Sequence, residues 1–406
     1  MAEYTTPVIA PDQNILPRIA SIDILRALTM VLMIFVNDLW SLKDIPAWLG
    51  HVDPGVDGIG LADVVFPAFL FIVGMSLPFA MDNRRKKGES DIQITGHILM
   101  RTISLLVMGV FLVNGETFNA AATGMARYLW NPICCLSFIL IWNAYPPKTG
   151  KTLVYGLKTL GIITLMVMAF IYRGGTEGDV YRFSPQWWGI LGLIGWAYLV
   201  SALVVLWAKN RISIMLLAWI FFAILSMVAK ADLFSIDALS FIPGAIRGGT
   251  LTGLTLGGVV ASQVFRHYRN QGDNRTMTIT FTIAIAVLVA LSLITRPYWG
   301  LAKLGATPAW LFLCSAFTLG VFVIIYWISD VYGKSAWFNL IKPAGTDTLL
   351  CYLMPYFVYF LFRVLHIRWP DVIVTGGVGL LKSLLLALLC VWLTKMLNKA
   401  GVKLKL

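Results

Sequence analysis

The chain has 406 residues, 58% hydrophobic and 13% charged, with a mean hydropathy of +0.79. Soluble domains carry about a quarter charged residues, so the composition excludes a water-soluble globular protein and indicates an integral membrane protein. The net charge of +12 does not indicate nucleic-acid binding, because the basic residues fall between hydrophobic runs, where they set orientation in a bilayer.

The opening MAEYTTPVIAPDQNILPR has no basic region ahead of a short apolar run, so no cleavable signal peptide is expected. A bilayer span needs about 20 mostly apolar residues. Such runs lie near 19–40, 61–82, 95–114, 128–145, 152–172, 186–208, 211–229, 246–265, 276–295, 308–329, 343–363 and 372–394. No lipid-compatible strand pattern appears, so the expected fold is all-α: a polytopic membrane bundle of about 11–12 helices, one domain over residues 1–406. With the N-terminus inside, the inner segments hold nineteen Lys and Arg residues, from Arg18 through Arg84, Arg85, Lys86 and Lys87 to Lys403 and Lys405. The outer segments hold ten. That asymmetry predicts that both termini are cytoplasmic.

The first span, SIDILRALTMVLMIFVND, carries costly polar groups. Asp23, Arg26, Met30, Met33 and Asn37 recur at spacings of three and four, which puts them on one helix face. Asp23 and Asn37 are separated by roughly 21 Å along the axis at 1.5 Å per residue. Intramembrane polar residues usually mark function, although those near helix ends also reach out to the headgroups. The loop that follows contains His51, Asp53, Asp57 and Asp63 beside Ile45, Trp48, Leu49, Val52 and Val56. So apolar a loop is expected to fold back on the helices. Asp63, ahead of VVFP, reads as a helix N-cap, and from the span mouth it could also orient the His51 imidazole.

Several stretches imitate other functions. GKT at 150–152 and GKS at 333–335 lack the upstream glycine of a phosphate loop, since Tyr145 and Ile328 occupy that position. Gly249, Gly253 and Gly257 fall four apart and read as a close helix-packing face. His51, His97, His267 and His366 are scattered, and no metal site is expected. Cys134, Cys135, Cys314, Cys351 and Cys390 sit in hydrophobic segments and read as core residues.

RIASIDILRALTMVLMIFVND, then His51, then GIGLADVVFPAFLFIVGMSLPFA, resembles the heparan-alpha-glucosaminide N-acetyltransferase family and its bacterial relatives. The resemblance is dense over 18–80. It continues more sparsely through RTISLLVMGVFLVN (101–114), ATPAW (306–310) and PAGTDTLLCYLMP (343–355). It implies transfer of an acetyl group from cytosolic acetyl-CoA to the amine or hydroxyl of a sugar, a terminal glucosamine, across the inner membrane of a bacterium. By the motif, His51 is the catalytic base or acyl acceptor, with Asn37 and Asp63 beside it. Asp23, Arg26 and Arg101 would serve the donor path, Arg101 through the donor's phosphates or else by pairing with Asp23. Ten residues lie between Arg26 and Asn37, as between the Arg and His of a second membrane acyltransferase group.

Three positions depart from the pattern. Ala27 replaces a glycine, and a longer loop puts Asp53 at the histidine's place in a gapless register. Asp347 stands where an asparagine is common. Asp53 and Asp347 are therefore candidate substrate-binding residues. His51 is preferred as base, because a neutral imidazole accepts protons near neutral pH while an ordinary carboxylate, with a pKa of about 4, is a poor base for an ammonium. The expected partners are acetyl-CoA, an amino-sugar or oligosaccharide acceptor, membrane lipid and a second copy of the chain. Trp187, Trp188, Trp299 and Trp310 would suit sugar stacking or an interfacial belt. The rival reading is a secondary transporter or lipid-linked-sugar flippase, against which stands the absence of two-half symmetry.

Overall fold

The computed structural model describes residues 19–176, 178–231 and 242–406. The opening segment with Arg18, on which the signal-peptide reading and one inner basic residue rest, lies outside the described residues. The helices are α1 (Ala20–Asp38), α2 (Leu61–Lys86), α3 (Asp91–Asn114), α4 (Ala120–Thr123), α5 (Arg127–Trp142), α6 (Lys151–Ile171), α7 (Ile190–Ala208) and α8 (Ile212–Lys230). They continue as α9 (Gly244–Arg247), α10 (Thr250–Gln271), α11 (Asn274–Trp299), α12 (Pro308–Tyr326), α13 (Lys342–Thr346), α14 (Thr348–Val364), α15 (Asp371–Val374) and α16 (Gly376–Lys399). A hairpin of β1 (Arg173–Thr176) and β2 (Asp179–Arg182) is the one sheet among the described residues.

The fold is an all-α polytopic membrane bundle, and every expected span falls on a helix. Nine of the described helices are long and apolar enough to cross a membrane. The other three expected spans have physical reasons for falling short. α5 and α14 have only 16 and 17 residues. α10 is long, but Thr250, Thr252, Thr255, Ser262 and Gln263 are buried along it. Protein, not lipid, surrounds these polar side chains, and Thr255 returns its hydroxyl to the Leu251 carbonyl of its own helix at 3.1 Å.

Contacts at the helix ends fix an alternating up-and-down order. One end joins Asp82 to Arg266, the Ser21 N–H to Asp330 and the Leu404 N–H to Asp347. The other joins Lys43 to Asp371, Asp57 to Arg296 and Asn114 to the Ser184 carbonyl. The first is the Arg26 end of α1, and the second is the Asn37 end.

Close packing between α2 and α10 rests on glycine. A Cβ at Gly258 would sit 1.8 Å from the Phe71 carbonyl oxygen, and one at Gly74 would sit 1.8 Å from that of Thr255. The closest approach thus uses Gly258 and not Gly257, whose Cβ would meet Trp219 at 3.2 Å. In their most apolar stretches α6, α8 and α11 are only 17–22% buried, whereas α1 and α2 are 61% buried. The first three face the surroundings. Along the polar stripe of α1, Met30 and Met33 are buried, Asp23 and Arg26 half-buried and Asn37 exposed.

Candidate active site

The loop between α1 and α2 is tied down at both ends. Lys43 exchanges backbone hydrogen bonds with Val374 and Gly376, and its ammonium meets Asp371 at 2.8 Å. Asp57 accepts from the Arg296 Nε and from the Leu301 N–H at 2.7 Å. The Leu301 N–H, with Arg296 adding to it, holds the Asp57 carboxyl below the ordinary carboxylate value. Of the apolar loop residues, Leu49 enters the core, while Trp48 and Val56 stay exposed. The loop is therefore held mainly by polar ties.

Between these ties lies His51. Its Nδ1 is 2.7 Å from Asp63 Oδ1, and the other Asp63 oxygen accepts from the N–H groups of Val52 and Gly60 at 3.1 and 3.0 Å. Asp63 is the third residue of α2 and not its N-cap; it reaches back to cap Gly60. The carboxylate is buried and the imidazole half-exposed. Because a carboxylate only accepts, it is Nδ1 that donates to Asp63, which leaves Nε2 as the nitrogen turned away from that carboxylate. The Trp310 indole donates to the Asp63 carbonyl at 3.0 Å, and Thr307 caps α12 beneath it. The ATPAW segment thus supports the ADVVFP segment. Lys303 adds a cation: its Nζ lies 3.3 and 3.5 Å from the two imidazole nitrogens and 3.9 Å from Asp63. Burial lowers this ammonium below the ordinary lysine value, and Asp63 opposes the shift.

A second feature runs the length of α1. At the Arg26 end a cavity of about 390 Å³ is lined by Arg26, Arg101, Tyr198, Asp347 and Lys405. It adjoins a narrow one of about 90 Å³, which shares Arg101 and adds Met30, Met33 and Tyr352. That adjoins a third of about 410 Å³ through Met33, Leu191 and Tyr352, and this third cavity holds Asn37, Glu116 and Asn131. Through Trp40, Glu116 and Tyr359 it meets an outer cavity of about 970 Å³ with Arg127, Trp369 and Lys382. The Arg26, Met30, Met33, Asn37 stripe therefore lines a string of cavities from end to end.

Arg26 is fixed by Asp23 at 3.0 Å, by the Gly345 carbonyl at 3.2 Å and by Ser76 at 2.6 Å. Arg101 lies over the Tyr198 ring at 4.7 Å, with its buried Nε lacking a hydrogen-bond partner among the described residues. The alternative role for Arg101, pairing with Asp23, is not the arrangement found.

The expected site residues thus separate. His51 and Asp63 come together; Arg26 and Arg101 line the cavity at one end and Asn37 the one at the other, while Asp23 is held by Arg26 and lines none of them. His51 does not line these cavities. Asp53 is exposed on the loop, and its side chain makes no hydrogen bond among the described residues. Asp347 caps α14 at the Arg26 end and accepts from the Leu404 N–H. Asp347 and Asp53 lie at opposite ends of the helices, so the structure does not bring the two together. The tryptophans do not form one cleft either: Trp310 is 1% exposed and spent on Asp63, and Trp40 and Trp369 line the outer cavity instead.

Asp38, Lys382, Lys303 and Glu116 were missed by sequence reasoning. Fully buried Asp38 accepts from Lys382 Nζ, Tyr359 and Ser383 at 2.7, 2.7 and 2.6 Å. A lysine inside the last span and an aspartate at the end of the first were a visible signal, because intramembrane charges seek partners. Nothing in the sequence places Lys303 beside His51.

A family described as a domain of unknown function (DUF5009) matches residues 18–242. Among curated proteins, the chain is similar to the heparan-alpha-glucosaminide N-acetyltransferases of Homo sapiens, 33% identical over 102 residues, and Mus musculus, 35% over 101. Each match covers 24% of this chain and 14% of the relative, so the chain spans only a small part of their length.

Proposed function

The chain belongs to the DUF5009 family, a domain of unknown function, and from that premise we propose that it is a transmembrane acetyltransferase. In this reading acetyl-CoA enters from the cytoplasm at the Arg26 end, and the acetyl group passes to the amine of a sugar, a terminal glucosamine, on the periplasmic side of a bacterial inner membrane. One observation carries it: the string of cavities along α1, cationic at one end and bounded at the other by Asn37 and an aromatic outer cavity. A long, charged-headed donor fits such a path. The cationic residues that line the end where its phosphates would lie are Arg26, Arg101 and Lys405.

The donor supplies an activated acyl group. The protein's part is to orient the acceptor, offer a hydrogen-bond donor where negative charge develops, and remove a proton. Asn37 offers the amide N–H groups at the cavity wall. His51 is the base, its tautomer set by Asp63 so that Nε2 accepts. His51 stands on the loop and Asn37 on the cavity, so the reading requires the acceptor amine and the acetyl group to meet within reach of His51 while its contact with Asp63 is kept.

The test is binding and turnover on the purified full chain. CoA and acetyl-CoA should raise its melting temperature, and radiolabelled acetyl should appear on glucosamine. A sugar transporter or flippase would ignore both nucleotides. His51→Ala should lower transfer by about 10²- to 10⁴-fold, the usual contribution of general-base catalysis, while nucleotide binding persists. Full activity of both His51→Ala and Asp53→Ala would rule the loop out of the chemistry.

A further inference from the structure

At the Asn37 end the structure already sets a primary amine against the candidate base. Lys303, in the turn between α11 and α12, places its Nζ 3.3 Å from His51 Nδ1 and 3.5 Å from Nε2. We propose that Lys303 is a modification site: its amine stands where an acceptor amine would meet His51, and it is acetylated there. The proposal rests on the transferase reading for the identity of the acyl donor, but not for the geometry of amine, imidazole and carboxylate.

Acyl transfer to an amine needs a neutral nitrogen, a base within hydrogen-bond reach of it, and a group that orients the base. All three are in contact here. Asp63, 3% exposed, holds Nδ1 at 2.7 Å, so Nε2 is the nitrogen that remains to take a proton from Lys303. The Lys303 ammonium has one ion pair among the described residues, the long one to Asp63 at 3.9 Å. Burial holds it below the ordinary lysine value, which enlarges the neutral share near neutral pH. With side-chain exposures of 23% for Lys303 and 51% for His51, both groups remain open to a ligand. Lys43, at the same end, is the opposite case. Its side chain is 64% exposed and bonded to Asp371 at 2.8 Å, and that carboxylate holds the ammonium above its ordinary value. Lys43 is a charged surface lysine that makes no contact with an imidazole among the described residues.

In the step, the Lys303 nitrogen bonds to the acetyl carbon of acetyl-CoA and the carbon–sulfur bond breaks. One N–H proton leaves for Nε2 and is then given to the departing thiolate. The products are N-acetyl-lysine and CoA, and no further reactant is consumed. An amide does not hand its acyl group on to another amine, so the acetylated lysine is an end state and not a carrier. Lys303 and the acceptor amine therefore compete for the same base and the same acetyl group.

The experiment incubates the purified full chain with acetyl-CoA at neutral pH and follows acetylation of each lysine by peptide mass spectrometry. Lys303 should become acetylated while Lys43 stays free. His51→Ala should slow the modification of Lys303 by about 10²-fold or more, the loss expected when a general base is removed. Asp63→Asn should slow it less. Added glucosamine should slow it in wild type, a comparison that needs no variant and carries the test if His51→Ala fails to fold. An unchanged melting temperature would show that His51→Ala is folded. Lys303 acetylated as fast in folded His51→Ala as in wild type, or at the same rate with and without glucosamine, would overturn the proposal as spontaneous chemistry. Acetyl-glucosamine formed with Lys303 unmodified would overturn it and leave the transferase reading standing. His51-dependent acetylation of Lys303 without any acetyl-glucosamine would keep the site and remove the sugar as acceptor. Acetylation of neither amine would overturn both.

Discussion

Replacing Lys382 by methionine should unfold the protein far more readily than its partly lipid-facing position on α16 suggests. The Lys382 side chain is 11% exposed and that of its partner Asp38 is 0% exposed. Truncation would leave Asp38 with the hydroxyls of Tyr359 and Ser383 and no counter-charge. Removing one member of a buried ion pair costs about 3–5 kcal/mol, because the remaining charge stays desolvated. Asp38→Asn combined with Lys382→Met removes both charges and keeps side chains of similar size. The double variant should therefore recover most of the loss, as replacing a whole buried pair is often close to neutral. The assay is reversible unfolding in mixed detergent micelles, followed by tryptophan fluorescence on wild type, both single variants and the double. The coupling energy from that cycle should exceed about 1 kcal/mol. If Lys382→Met is as stable as wild type, or the double variant is no better than the singles, the pair is not what holds α1 to α16 at this end.

Asp63→Asn should slow acetyl transfer while retaining nucleotide binding, since an amide can reverse the imidazole tautomer; unchanged kcat would show that Asp63 does not orient His51. Arg26→Ala and Arg101→Ala should weaken CoA binding more than they slow the chemical step, and unchanged affinity in both would make them structural. The Asp57 clasp stabilises the loop through a depressed carboxyl, so its contribution is present above the unfolded value of 3.8 and lost as pH falls through the lower folded value. Protease cleavage within 42–60 should accordingly accelerate only below about pH 4, whereas Asp57→Asn should cleave faster at neutral pH as well. Cysteines placed at positions 50 and 88 should label from opposite sides of the membrane, with position 88 cytoplasmic; labelling from one side would remove the two-ended path.

How much of this was legible in advance differs by element. The spans were, because a bilayer accepts only long apolar helices, and 3.6-residue periodicity then put Asp23, Arg26 and Asn37 on one face. Even α10, the least apolar span, was readable from its glycines, although Gly258 and not Gly257 makes the closest contact. The pairing of His51 with Asp63 was within reach because both lie in one short stretch, where Asp63 sits in the first turn of α2. Depth and partnership were not. Asp347 read as an acceptor residue from its motif, but the length of α14 places it at the Arg26 end. Trp310 read as a stacking surface or part of an interfacial belt, but α12 packs it behind Asp63. Lys303 reaches His51 only because the turn between α11 and α12 folds over the start of α2, and Lys382 meets Asp38 across more than three hundred residues. Local periodicity and charge bias are properties of single segments, so the sequence alone determined the membrane class, the helices and the polar face of α1. Which side chains meet across helices, and which of them share a cavity, depends on how distant segments pack, and only the tertiary structure decided that.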